Sequence, residues 1–330
     1  MTSVKLMRYL LNVTFLVAPI GLKELGIQTF SVSMIYSVMI NLFTVWLQVN
    51  SERRFRDGNP RISSISELTK HCYSNPVNFV YLLFKCISCI TFLVVFNIYL
   101  GNEIDQILCH SIKSYQCGKF ENLIRVSLNV IMAPFIFSGS LQNPKLVSIM
   151  SFICVSAALV FISYHEMFMF KSQQEESRKE LLGLIGPQSK KINGMKSVFQ
   201  FSSFVSLLVC MFDVNTNVLR FKHEMQRPAD FFKVTAFTFF IFGSMFFGFN
   251  VLSTIAFGSN IQSPVTDNFI SLSTYKDTEI FGKIDQQLFF TAKILVAVML
   301  IANFMLYQDR LFESIDGIQE MFVPHVQGGN

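Results

Sequence analysis

The stretch Val234–Phe257 reads VTAFTFFIFGSMFFGFNVLSTIAF, inside a 33-residue interval between Lys233 and Asp267 that holds no Asp, Glu, Lys or Arg. A hydrocarbon layer about 30 Å thick calls for about 20 consecutive apolar residues per crossing helix. Core helices of soluble proteins are rarely apolar on every side, so this stretch reads as a membrane span. The same pattern recurs along the chain. Charge is absent for 27 residues between Glu24 and Glu52, for 19 between Arg125 and Lys145, and for 20 between Lys145 and Glu166. Phe79–Gly101 is broken only by Lys85 and Gln286–Gln308 only by Lys293, while Ser197–Phe212 runs uncharged up to Asp213. Tyr9–Leu22 is apolar with Pro19 and Gly21 inside it. Eight spans follow, near 9–26, 28–49, 79–101, 123–142, 146–168, 197–219, 233–257 and 286–308.

Composition agrees. Of 330 residues, 51% are hydrophobic and only 15% charged, against about 25% charged in soluble domains; the mean hydropathy is +0.44. Such apolar content excludes disorder. The runs are continuous and helix-length, not alternating, which argues against a β-barrel. A net charge of +5 with no basic stripe argues against nucleic acid as a partner. Lys5 and Arg8 precede the first apolar run, but Lys23 and Glu24 follow Pro19 in place of a small-residue cleavage site. The run therefore reads as a first membrane helix and not a signal peptide. Basic residues divide 13 to 12 between the two sides of an eight-span topology, so the positive-inside rule selects neither orientation.

The polar groups at membrane depth are few. Lys85 lies near a span end and Lys293 seven residues into its span, and both stems are long enough to snorkel to an interface. Cys86 and Cys89 read as small packing residues on one helix face, while Cys109 and Cys117 share a loop and could pair in an oxidising compartment. Asp213 is followed by Val-Asn-Thr-Asn before Val218, Leu219 and Phe221 resume the apolar pattern. Either the sixth helix ends there or it breaks and continues, and a break at that depth is tolerated only where backbone lines a cavity. The first span holds Asn12, Thr14, Pro19 and Gly21, and Pro19 removes one helical hydrogen bond. Interrupted first and sixth helices are what an inverted repeat of five plus five spans produces, with substrate held between them. The fold expected is an all-α integral membrane bundle, an incomplete 5+5 inverted-repeat transporter type with broken first and sixth helices. Its first repeat would occupy 1–168, its inter-repeat loop 169–196 and its partial second repeat 197–308.

At these segments the chain resembles the amino acid/auxin permease family. Pro19-Ile-Gly-Leu-Lys-Glu-Leu-Gly26 has the spacing of the family's LPxAxxxxG segment. Phe212-Asp213, then Glu224-Met225-Gln-Arg-Pro228-Ala-Asp-Phe231, is similar to FEG followed by ENEMxxPxxF. Phe257-Gly258 with Thr266-Asp-Asn268-Phe269 matches FGD…TxNL in spacing, and Ile65-Ser-Glu-Leu resembles the Y-x-D/E-L segment. Two departures stand out: Asn12 and Thr14 replace a Gly-x-Gly, and Ser253-Thr254 replace a Gly-Tyr.

The resemblance implies an amino acid as substrate and the lipid bilayer as solvent, with no covalent chemistry and no metal. It implies no cofactor beyond a coupling ion, H+ or Na+. Substrate would meet Asn12, Thr14, Phe15 and Leu16 in the first span and Cys210, Met211, Phe212 and Asp213 in the sixth. Asn12 and Thr14 would bond its carboxylate, Phe212 would line the cavity, and Asp213 would take its amine or a coupling proton. The family has eleven spans and a cytoplasmic N-terminus. Three spans would then be absent here, leaving as the alternative a truncated binding or regulatory relative with a full-length transporter as partner.

Overall fold

The computed structural model describes residues 6, 10, 14–55, 65–72, 74–112, 118, 120–137, 152–154, 156–164, 166–167, 194–212, 217–257, 261, 265–267 and 279–322. The described residues include the α-helices α1 Thr14–Phe55, α2 Ile65–Cys72, α3 Asn75–Ser111, α4 Glu121–Phe137, α5 Phe152–Tyr164, α6 Gly194–Met211, α7 Val218–Glu224, α8 Phe231–Phe257 and α9 Glu279–Phe322. Short 3-10 turns occupy Pro228–Asp230 and Val265–Asp267, and no strand occurs among the described residues. Each of the eight expected spans overlaps a described helix, the first two sharing α1, while 138–151 and 213–216 lie outside the described residues. Four helices are long and apolar enough to cross a bilayer, over Phe15–Phe55, Asn75–Cys109, Pro228–Phe257 and Phe290–Gln319. At 1.5 Å per residue, the 44 residues of α9 extend ~66 Å, about twice the hydrocarbon thickness. Most of the expected inter-repeat loop 169–196, namely 169–193, lies outside the described residues.

The first and second expected spans are joined inside α1, and the junction is Gly26, with φ 75° and ψ 160°. Only glycine adopts that backbone without strain, so the last glycine of the Pro19–Gly26 motif is a hinge. The interruption expected around Pro19 is not there: the helix runs from Thr14 through Pro19 and breaks at Gly26. A proline deletes a single donor, and membrane helices absorb that loss through neighbouring groups. Residues 11–13 lie outside the described residues.

The chain forms two compact units. One comprises Met1–Leu47, Phe152–Asn215 and Met225–Val296, and the other Gln48–Ser151, Thr216–Glu224 and Ala297–Asn330. In the first, much of the apolar surface faces outward while small polar residues are buried. Val32, Ile35, Met39, Phe43 and Trp46 of α1 are exposed while Ser33, Ser37 and Asn41 are buried. On α8, Phe237, Phe240 and Met245 are exposed while Thr235, Thr238, Asn250, Ser253 and Thr254 are buried. Lipid is as apolar as leucine, so small and polar residues are the ones that gain by facing other helices.

In the second unit, α3 starts at extended Ser74 with a proline in its first turn and ends at extended Ile112. Phe92 and Phe96 pack on Tyr307 of α9 at 4.8 and 5.3 Å, and the Arg310 guanidinium lies 4.8 Å from the same ring. Cys86 and Cys89 are free and buried. The Lys85 ammonium lies 3.8 Å from the exposed carboxylate of Glu313. Cys109 is disulfide-bonded, whereas Cys117 lies outside the described residues. Burial pushes the thiol of Cys72, on α2, upward.

Candidate functional site

The rings of Phe239, Phe242, Phe246 and Phe249 follow one another at spacings of three and four along α8, so they share a face. Phe15, in the first turn of α1, packs on three of them, at 5.9 Å from Phe242, 5.2 Å from Phe246 and 4.7 Å from Phe249. Phe212, the residue after α6, lies 5.6 Å from Phe239 and 5.7 Å from Phe242. Phe242 is thus shared by residues from both segments that the sequence singles out, at separations where ring pairs attract. Leu16 and Met211 are buried with them, whereas Cys210 is exposed. Asn12 and Asp213 lie outside the described residues, as does the side chain of Thr14. The structure therefore brings Phe15 and Phe212 together through Phe242.

Helix α6 stops at Met211 and α7 begins at Val218. The last four carbonyls of a helix lack intrahelical partners, and hydrocarbon has no water to serve them. Asn41 answers part of this need: its Nδ2 donates to Val209 O at 3.0 Å and to Ser37 O at 2.9 Å. Asn41 closes a buried stripe of Ser33, Ser37 and Asn41 at four-residue intervals. That spacing within the apolar run 28–49 is the sequence signal that points to Asn41. Close approach matters on the same helix: a Cβ at Gly21 would fall 1.9 Å from Cε2 of Phe204 on α6.

A second polar group sits at the end of α8. Thr254 Oγ1 lies 3.3 Å from Pro19 O and 2.8 Å from Asn250 O. Ser253 Oγ lies 2.5 Å from Glu166 Oε1 and 2.9 Å from Phe249 O. Glu166 is fully buried, and its Oε2 has no hydrogen-bond partner among the described residues. Read along the chain, Glu166 only bounds a charge-free interval and attracts no role. The sequence signal is the pair Ser253-Thr254, where the resembling family has Gly-Tyr. Lys293 is also corrected: it is fully buried and engaged, not extended to an interface.

Residues 2–316 match the family described as transmembrane amino acid transporter protein. The chain belongs to that family. No curated protein and no solved structure matches it. Membership and the apolar helices together make this an all-α, multi-pass integral membrane protein of an amino acid transporter family. Within the family's first motif, the structure gives Gly26 the hinge and Gly21 the contact with Phe204.

Proposed function

We propose that the protein carries amino acids across the membrane by alternating access, driven by an H+ or Na+ gradient. The observation that carries this reading is the meeting of Phe15 and Phe212 on Phe242, within a chain that matches the family from residue 2 to residue 316. Helix ends beside a shared cavity present backbone groups and partial charges to an amino acid's two ionic groups. The segments 12–16 and 210–215 are assigned to the substrate: Asn12 and Thr14 for its carboxylate, Asp213 for its amine, and Phe212 with Phe15 for the apolar wall. The two repeats, 1–168 and 197–308, would rock against each other around that site.

The test is uptake of labelled amino acids into proteoliposomes under an imposed H+ or Na+ gradient. Accumulation of at least one amino acid, abolished by an ionophore and weakened in Asp213→Asn, is the expected result. Absence of gradient-dependent uptake for every amino acid removes the proposal. Binding without flux, or co-purification with a full-length transporter, would favour the regulatory alternative.

A further inference from the structure

We infer that Glu166 and Ser253 form a proton-carrying site, with the Glu166 carboxyl holding a proton in the conformation seen. The inference rests on the transport reading above only for its role in coupling, not for the proton itself. Donor counting supplies the argument. Ser253 Oγ is within hydrogen-bond distance of two oxygens, Glu166 Oε1 and the Phe249 carbonyl. A serine hydroxyl has one proton to give, and a carbonyl has none. Both contacts are full two-centre hydrogen bonds when the carboxyl donates to Ser253 Oγ and the hydroxyl donates on to Phe249 O; with an ionised carboxylate the single hydroxyl proton is divided between two acceptors.

Burial points the same way. An ionised carboxylate out of water needs a cation or several donors. Among the described residues, fully buried Glu166 has neither: its hydrogen-bond partner there is Ser253, and no ion pair reaches it. The α8 face that meets it carries Asn250, Ser253 and Thr254, none of which titrates. On α1, Lys23 lies one turn beyond the Pro19 carbonyl that Thr254 touches, next to exposed Glu24, and Lys293 is on α9; each lysine has an interaction of its own, and neither forms an ion pair with Glu166 among the described residues. His165 lies outside the described residues. A further acceptor, Asn250 Oδ1, stands one turn before Ser253, buried and without a partner among the described residues.

Release of the proton would turn the Ser253 hydroxyl from Phe249 O to the carboxylate and leave a bare charge behind α8. The next residue, Thr254, is the one in contact with α1. A charge appearing at Glu166 would therefore lie one residue along α8 from its contact with α1, and weakening of that packing is the effect expected of proton loss. This links proton occupancy to the helix that carries Phe15.

The experiment uses the full chain in proteoliposomes, wild type against Glu166→Gln, with two readouts. The first is accumulation under a pH gradient against counterflow exchange without one. The variant is expected to exchange but to lose gradient-driven accumulation, its ratio falling to that of equilibration. The second is infrared difference spectroscopy across pH, where the wild type should show the C=O stretch of a protonated carboxyl that Glu166→Gln lacks. If the wild type shows that band but transports nothing, the transport reading fails and the proton site stands. If the variant accumulates substrate with unchanged H+ dependence, or if a Na+ gradient alone drives the wild type, the coupling role is overturned. If the band is absent from the wild type, or persists unaltered in Glu166→Gln, the site itself is overturned. Should Glu166→Gln fail to fold, Ser253→Ala decides: it removes the acceptor of the carboxyl proton, so the band must shift, and an unshifted band overturns the inference.

Discussion

Glu52, near the end of α1, is 1% exposed, and Glu166, in the other unit, is 0% exposed. Their surroundings differ. Oε2 of Glu52 meets the buried Lys222 ammonium, and its Oε1 lies 3.6 Å from His223 Nε2, both on α7. Glu166 has a hydroxyl at one oxygen and no partner among the described residues at the other. Burial alone therefore does not decide what a carboxyl does in this protein; the charge of its partner does. Glu52 belongs to an ion pair that ties two helices of one unit together, whereas Glu166 is stable where it sits as a neutral acid.

The largest effect should come from splitting the ion pair. Glu52→Gln leaves Lys222 buried without its counter-charge, which costs about 3–5 kcal/mol, read by reversible unfolding in mixed micelles. A cost under about 1 kcal/mol would mean the pair is no more than a surface contact. Replacing both partners, Glu52→Met with Lys222→Met, should recover most of the loss, because apolar isosteres of a buried pair are often neutral or better; a double variant as unstable as the single one breaks the interpretation.

Smaller effects separate charged from neutral burial. Asn41→Leu removes the donor to Val209 O and should cost about 1–3 kcal/mol, the penalty for one orphaned buried group, with the loss localised by hydrogen exchange at the end of α6. Glu166→Gln should change stability least, within about 1 kcal/mol, since an amide replaces a neutral acid of the same shape and can still donate to Ser253. A loss as large as that of Glu52→Gln would show that Glu166 is ionised and would erase the contrast between the two glutamates.

Much of the fold is legible in the charge-free intervals. Lipid leaves a helix one way to satisfy its backbone, so span positions follow from length and hydropathy, and the boundary near residue 26 coincides with Gly26. The meeting of Phe15 and Phe212 on Phe242 is legible in part, since both fall in segments picked out by their irregularity. Pro19 is misread because a proline announces a missing donor, not a break. Asn41 is half visible, in the four-residue spacing that leads to it. Glu52 and Glu166 look alike in the sequence, each a charge at the margin of an apolar run.

By itself, the sequence determined that this chain lies in a membrane as helices, roughly where its apolar segments lie, and which family it resembles. Those properties depend on local apolar length and on motifs read in order. Only the tertiary structure decided that Glu52 faces Lys222 across 170 residues of chain and Glu166 faces Ser253 across 87. The partner of a buried charge is set by which helices pack together, and hydropathy, which is a property of one segment at a time, carries no record of that.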